Sequence, residues 1–406
     1  MTGSPPVDRT DSSAAGEFRG YSAGIVTFMD GKNYGCDLQR YAMQRVLKRL
    51  GLRALLIDYA PPREGARPGP VRRLLRTFSP RSLARGALSL FGRRDAAFRR
   101  FNGEMLEKTG PIAGYGGLSR LAPFDCYIAG SDQIWNPGLS RGEGGRRFFF
   151  LDFAPAGTKI SYAPSLGVSR VDPGYAARLK ESLASFSWIS VREREGAEII
   201  QKILNRPVDV VLDPTMLLSA EEWDRLAGRA ERFPVQEEKY ILCYSLGNTA
   251  EILAEARRLA QVHGARIAPI CYSLPDALRL KKICPECRPV LNAGPAEFVS
   301  LIRSAAAVVT DSFHGTVFSI LYRRPFRTMM RDRREGASSM NSRVRTLLET
   351  FHLQDRLFGP EAFSGGPAEE ADDAADEILR RYREESLNKL KDGLRKVLIH
   401  EESGRG

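Results

Sequence analysis

Val308-Val309-Thr310-Asp311-Ser312-Phe313-His314-Gly315-Thr316-Val317-Phe318 runs from an apolar strand into a polar tip and on into an apolar helical pattern. An apolar run that stops at Asp, Ser and His reads as a buried α/β strand delivering polar side chains to its C-terminal edge. The helix that opens at Gly315 would aim its unpaired N–H groups at the same spot. A histidine there suits a site that binds an anion and moves a proton. The chain has four histidines; His263, His352 and His400 stand in polar or helical contexts and read as bystanders.

Working outward, Gly24 to Phe28 reads as a strand, Asp30 to Gly35 as a polar turn, Asp37 to Leu50 as a helix and Ala54 to Asp58 as the next strand. The turn has glycines but no GxGxxG, so a dinucleotide fingerprint is absent. Further strands are expected at 124–130, 148–153, 158–162, 188–191 and 208–212, with helices near 173–186 and through Ile199 and Ile203. A charged link with Pro234 follows at 231–238, and the alternation restarts. Strands are expected at 240–244, 266–271 and 305–310, and helices at 249–262 and 295–304. Two rounds of strand and helix predict an α/β protein with two Rossmann-like domains facing a cleft. The expected division is a disordered leader at 1–20 and a first domain at 21–230 with a basic insertion at about 62–110. A second domain at 238–346 and a helical extension at 347–406 complete it.

At 43% hydrophobic and 27% charged residues over 406 positions, the composition is that of a globular protein with room for two cores. No apolar stretch is long enough to span a bilayer, and Met1 to Gly20 does not resemble an export signal, so a cytoplasmic location is expected. Of six cysteines, Cys126, Cys243 and Cys271 fall in strand-like runs and read as small hydrophobes. Cys284-Pro285-Glu286-Cys287 lacks the second pair a zinc site would want, so free thiols and no metal are expected. The net charge of +12 is uneven. Between Pro62 and Arg100, eleven arginines interleave with leucine and phenylalanine. Such a stretch suits an anionic membrane surface, a polyanion such as nucleic acid, or a solvated helical excursion packed on the domain, and charge alone does not choose.

Four strand-end clusters could carry chemistry: Ser131-Asp132-Gln133, Arg192-Glu193, Asp213 and Asp311-Ser312-His314. Strand C-termini form the ligand crevice of open α/β sheets, so facing halves would bring these clusters together. Arginine offers a planar fork for carboxylate or phosphate, and histidine exchanges a proton near neutrality. The set suits a small dianion undergoing proton-linked group transfer. Each residue also has a plainer reading. Asp132 would cap a turn, Arg192 would pair with a surface glutamate, and Asp213 before Pro214 reads chiefly as a turn former. Trp135 would anchor packing or stack on a sugar.

In this order the clusters resemble the polysaccharide pyruvyl transferase family. The likeness rests on Asn33-Tyr34-Gly35, Gly130 to Asn136, Ser190-Val191-Arg192-Glu193, Asp213-Pro214-Thr215, Thr310 to Thr316 and Asn341-Ser342-Arg343, and spans about residues 22–358. It implies a glycosyltransferase-B-like pair of domains and transfer of pyruvate from phosphoenolpyruvate to a sugar of a cell-surface glycan precursor, giving a cyclic ketal. By position, His314 resembles the family's catalytic histidine and Arg192 its phosphoenolpyruvate-binding arginine. Where some members carry a second arginine before the histidine, Ser312 and Phe313 stand here. Anion binding then leans on Arg192 and a further base among Arg323, Arg324 and Arg343.

In this reading Asp132 or Asp311 assists hydroxyl attack, and Ser131, Gln133, Ser312, Gly315, Asn33 and Arg343 line the substrate. No cofactor beyond the donor substrate is implied. The acceptor is a sugar or lipid-linked glycan, with no nucleic acid as partner. Residues 62–100 would bring the cleft to the inner membrane face. Two alternatives remain at this point. One is a nucleotide-sugar glycosyltransferase binding its donor diphosphate near Ser245-Leu246-Gly247-Asn248 and His314. The other is a non-catalytic polyanion- or membrane-binding protein driven by residues 62–100.

Overall fold

Three of the four strands of the first sheet are buried on both faces, and this sets the architecture. The computed structural model describes residues 16–29, 32–60, 81–139, 142–331, 341–359 and 373–399. β1 (Ser22–Val26) leads into α1 (Tyr34–Arg49), β2 (Arg53–Leu56) and the short β3 (Tyr59–Ala60). α2 (Arg81–Glu104), β4 (Ile112–Ala113), β5 (Cys126–Asp132), α3 (Gly142–Phe149) and β6 (Lys159–Pro164) follow. The half ends with α4 (Pro173–Leu183), β7 (Ser190–Val191), α5 (Arg194–Leu204), β8 (Asp209–Val210) and α6 (Ala220–Ala227). Its sheet runs β2-β1-β5-β6, all parallel, with Ala23 opposite Cys126. Apolar runs without alternation are what a parallel sheet covered on both faces requires.

The second half repeats the plan. It holds β9 (Tyr240–Tyr244), α7 (Thr249–His263), β10 (Arg266–Pro269), α8 (Leu274–Ile283), α9 (Pro295–Ser304) and β11 (Ala307–Thr310). α10 (Phe313–Leu321), β12 (Phe326–Thr328) and α11 (Ser342–Thr350) complete it. Its sheet, β10-β9-β11-β12, is again entirely parallel. Two Rossmann-like halves thus face one another in the glycosyltransferase-B-like arrangement, with strand C-termini turned toward the seam.

Below that seam the halves share one continuous apolar core. Tyr34 of α1 stacks on Phe298 of α9, ring centroids 4.6 Å apart, and donates its hydroxyl to the carbonyl of Ala293 at 2.9 Å. Trp223 of α6 meets Phe318 of α10 edge-on at 4.9 Å. The last helix, α12 (Asp373–Leu398), crosses back to the first half, where Ser386 accepts from the Leu212 N–H at 3.0 Å. Gly393 permits this approach, since a Cβ there would lie 2.4 Å from the Trp188 ring.

The basic insertion is partly legible. Residues 61–80 lie outside the described residues, as do the side chains of 81–91. From residue 92 onward α2 packs into the seam. Arg94 is buried with its guanidinium 4.6 Å from the Phe98 ring centroid and 5.0 Å from that of Tyr272, and it donates to the Lys32 carbonyl at 2.8 Å. Arg100 reaches Glu231 and Glu297 at 3.2 and 3.0 Å. These two arginines strap the halves together and do not form a free cationic face.

Several expectations need correction. Residues 148–153 are not a strand: α3 ends at Phe149 and turns follow. Phe148, Phe149 and Phe150 are buried against aromatic neighbours, and a short apolar run does not distinguish strand from buried helix end. The leader does not extend to residue 20. Phe18 is fully buried and its N–H bonds the Leu50 carbonyl at 3.0 Å, while 1–15 lie outside the described residues. Cys284 and Cys287 are joined by a disulfide, not free. No helix among the described residues is long and apolar enough to cross a membrane.

Candidate active site

Three of the site's clusters sit where a buried strand stops. β5 ends at Ser131 and Asp132, β7 hands over to Arg192 and Glu193, and β11 gives way to Asp311 and Ser312. Ser312 caps α10 by accepting from the Gly315 N–H at 3.3 Å, so the helix starts at Phe313 and His314 lies in its first turn. Asn33 caps α1 in the same manner, accepting from Gly35 and Cys36 at 2.9 and 3.3 Å. The sequence reading began that helix later, at Asp37. The capping side chain explains the difference.

The centre of the cluster is Asp213. One carboxylate oxygen accepts from Arg192 Nη1 at 2.6 Å and from the Ser131 hydroxyl at 3.2 Å, and stands 3.7 Å from His314 Nε2. That last distance is an ion-pair contact, longer than a hydrogen bond. The other oxygen takes the Thr215 N–H and hydroxyl at 3.0 and 2.7 Å. Asp213 is therefore both the turn former expected and the hub of the site, a role the sequence reading ranked second. Its signal was present: it is the third strand-end acid on one half.

Burial alone would raise the Asp213 pKa; the His314 imidazole, the Arg192 guanidinium and the Thr215 hydroxyl outweigh it and hold the carboxyl far below the usual range. Arg192 is only 5% exposed, which excludes the surface pair. Burial works against its charge, but Asp213, Asp132 and Glu193 more than compensate and raise its pKa. Its Nε and Nη2 have no partner. Glu193 turns the other way, holding Ser165 and the N–H groups of Leu166 and Gly167.

Asp132 has the left-handed backbone φ of 69° and its carboxylate accepts from the Cys36 thiol at 2.7 Å and from the Gln133 N–H at 2.8 Å. Burial would raise its pKa, but Arg192, His314 and the thiol bring it below the usual range. Cys36, a residue sequence reasoning missed, has its own pKa raised well above normal by burial and by Asp132, so it stays a thiol donor. Arg343 closes the cluster. With its oxygen turned inward, the Gln133 amide accepts from both terminal nitrogens at 3.1 and 3.2 Å. Burial and the adjacent Arg192 push the Arg343 pKa down to about 10. Of the three candidate second bases it is the one at the site. Arg323 pairs with Asp373 and Asp376, and Arg324 lines a different cavity beside it.

Two expected members have other duties. Asp311 accepts from the backbone N–H groups of Leu246, Gly247 and Asn248 at 2.6, 3.0 and 2.9 Å, which commits both oxygens. The same contacts occupy the donors that a nucleotide diphosphate would need at Ser245 to Asn248. Gly315 is needed for packing, since a Cβ would lie 2.6 Å from the Thr310 hydroxyl. Trp135 is wholly buried against Phe150 and Phe186 and anchors the core. Across the seam, Gly35 faces the imidazole so closely that a Cβ would come within 2.0 Å of His314 Nδ1.

The cleft above these residues has a cavity volume of about 60 Å³ and opens to solvent. Asn33, Asp132 and Gln133 line it from the first half and Asp311, Ser312, His314 and Arg343 from the second, with exposed Arg331 at its edge. It thus presents one imidazole, one partly engaged carboxylate and the guanidiniums of Arg331 and Arg343, with Arg192 behind them, which suits binding a small anion and moving a proton. Among the described residues, no group of three or more His, Cys, Asp or Glu side chains could hold a metal ion.

A family model described as polysaccharide pyruvyl transferase matches residues 33–333. No curated protein matches by sequence. Among solved structures, the chain is similar to a putative UDP-N-acetylglucosamine 2-epimerase from Listeria monocytogenes. The identity is 10% and the TM-score 0.44, with 93% of this chain and 90% of that one covered. UDP-GlcNAc 2-epimerase from Neisseria meningitidis gives 11% identity and TM-score 0.45, over 93% and 99% of the two chains. E. coli ADP-heptose lps heptosyltransferase II gives 13% and 0.38, over 92% and 99%.

Proposed function

Because the chain belongs to the polysaccharide pyruvyl transferase family, we propose that this transferase moves pyruvate from phosphoenolpyruvate onto two hydroxyls of a sugar in a cell-surface glycan precursor. The observation that carries the reading is the convergence of Arg192, from the first half, and His314, from the second, on one oxygen of Asp213. A three-carbon acid carrying a carboxylate and a phosphate needs more than one cationic fork, and Arg192 and Arg343 supply two. The first-turn N–H groups of α10 add donors for the same charge.

In this reading protonated His314 gives its proton to the methylene carbon of the donor, turning CH2 into CH3 and leaving an electron-poor carbon beside it. The Asp213 carboxylate, 3.7 Å from Nε2, faces the imidazole on its inner side. One sugar hydroxyl adds to the electron-poor carbon. Phosphate leaves, and the second hydroxyl closes the ketal. One hydroxyl proton restores the imidazolium, by way of Asp132 or water, and the other departs on phosphate. Arg192 and Arg343 stabilise the growing phosphate charge. Asp132 is the carboxylate better suited to that transfer, since Asp311 is taken up by three backbone donors.

The acceptor in this reading is lipid-linked. Leu278 and Ile283 are 57% and 52% exposed on α8, and Arg279 and Lys282 lie between them on the same exposed face. Such a face suits an anionic lipid surface. Co-sedimentation with phosphatidylglycerol vesicles tests this: Leu278→Glu with Ile283→Glu should release the protein, and unchanged binding rules α8 out.

The donor is tested by thermal protection. Phosphoenolpyruvate should stabilise the protein by about 2.7 kcal/mol at a hundred times its dissociation constant, while a nucleotide sugar should not. Protection by the nucleotide sugar alone would reject the reading.

A further inference from the structure

The cleft over His314 has a cavity volume of about 60 Å³, with Asn33 and Leu246 among its lining residues. A water-sized group takes up about 10–15 Å³ of such space, so the cleft receives only a few of them, fewer than a hexose ring brings. The sugar of the acceptor must therefore rest outside, on the rim. One rim side chain has the chemistry a sugar ring needs. Tyr272 is the only exposed aromatic residue among those described, 37% accessible. It follows β10 at the C-terminal edge of the second sheet, the edge turned toward the seam. Its hydroxyl hydrogen-bonds with that of buried Tyr244, and two residues beyond Tyr244 the chain reaches Leu246 in the cleft. From the first half, Arg94 sets its guanidinium 5.0 Å from the Tyr272 ring centroid and donates at 2.8 Å to the carbonyl of Lys32, the neighbour of Asn33. A single exposed apolar residue is ordinary. This one is held from both halves, beside the mouth of a cleft too small for the second substrate.

We propose that Tyr272 is the stacking residue for the acceptor, receiving one face of a pyranose so that the sugar's hydroxyl pair lies over the cleft. A pyranose presents a patch of weakly positive C–H groups, which matches the negative face of an aromatic ring. A ring already fixed by Arg94 and Tyr244 loses little freedom when a sugar settles on it. The assignment rests on the pyruvyl-transfer reading above and adds to it the residue that selects a ring-shaped acceptor. Tyr272 also stands directly before Ser273, which caps α8. A sugar on a lipid carrier held against Leu278 and Ile283 would reach the cleft across it.

Two measurements on the full chain test this. Trp135, Trp188 and Trp223 are all buried, so Tyr272→Trp adds the only exposed indole. Iodide should quench the emission of that variant far more than that of the wild type. Within a panel of hexose and N-acetylhexosamine glycosides, added without donor, at least one should protect the indole, and glycerol at equal concentration should not. In turnover, Tyr272→Ala should raise the acceptor KM about ten-fold while the KM for phosphoenolpyruvate stays at the wild-type value. Tyr272→Phe, which keeps the ring, should hold the acceptor KM near wild type. Retained helical circular dichroism accompanies each comparison. An acceptor KM unmoved in folded Tyr272→Ala, or quenching that no glycoside alters, overturns the proposal. Should no pyruvyl transfer be found, the quenching result still decides whether a sugar stacks on this residue, because it uses no donor.

Discussion

His314 Nε2 stands 3.7 Å from an oxygen of Asp213, across the seam between the two halves of the chain. The same oxygen receives Arg192 at 2.6 Å. One buried carboxylate thus contacts an imidazole and a guanidinium from opposite halves, the two groups that the proposed reaction uses as proton carrier and anion binder.

Replacing Asp213 with Asn keeps the shape and removes the charge. Arg192 would be left buried without its counter-ion, at a cost on the order of 3–5 kcal/mol. The pH dependence should change as well. The folded pKa of Asp213 lies below its unfolded value, so its contribution is complete above about pH 4 and is lost as pH falls toward the folded value. Acid titration of stability should therefore be less steep below pH 4 in Asp213→Asn than in the wild type. Equal slopes would show that Asp213 is not the charged hub.

Gly35→Ala places a methyl group 2.0 Å from His314 Nδ1. The imidazole must then move by about an ångström, and turnover should fall on the order of a hundred-fold with donor affinity little changed. A normal turnover number would show that the α1 turn does not set the histidine.

Asp311→Asn separates a structural from a chemical role. Loss of the carboxylate from three N–H groups should destabilise the second half by about 3 kcal/mol. The fully folded fraction should keep the shape of the wild-type pH–rate profile. A profile that loses one limb would restore Asp311 as a proton carrier.

Arg94→Met tests the strap. The guanidinium lies among Tyr34, Phe98 and Tyr272, where such contacts contribute about 1–2 kcal/mol. Thermal unfolding should begin at lower temperature, while vesicle binding should be unchanged. Loss of vesicle binding with unaltered stability would return Arg94 to a membrane-facing role.

Much of the fold was legible because parallel strands buried on both faces leave continuous apolar runs, as at Ala307–Thr310 and Tyr240–Tyr244. Where that signal is shared with buried helix ends, as at Phe148 to Phe150, the reading failed. The clusters carrying His314, Arg192 and Asp132 were visible because polar residues interrupt apolar runs at strand ends. Asp213 was visible too, but its local job as a turn former concealed its long-range one. Cys36 left no trace in the sequence, and Gly35 stood in the Asn33-Tyr34-Gly35 motif without showing its task, since both roles arise only when α1 meets β5 beside it and α10 across the seam. The insertion stayed open for a related reason: charge density fits a surface, a polyanion or a packed excursion alike, and Arg94 takes the packed course, satisfying its charge with aromatic faces and a carbonyl.

The central claim is that His314 delivers a proton to the donor carbon while Arg192 holds the anion. The most direct measurement is mass spectrometry of products formed from phosphoenolpyruvate and a panel of glycan acceptors in deuterated water, with released phosphate measured alongside. The wild type should yield a pyruvate ketal with one deuterium in its methyl group and one phosphate per ketal, and His314→Asn and Arg192→Met should yield almost none. Wild-type rates of labelled ketal in both variants would contradict the account.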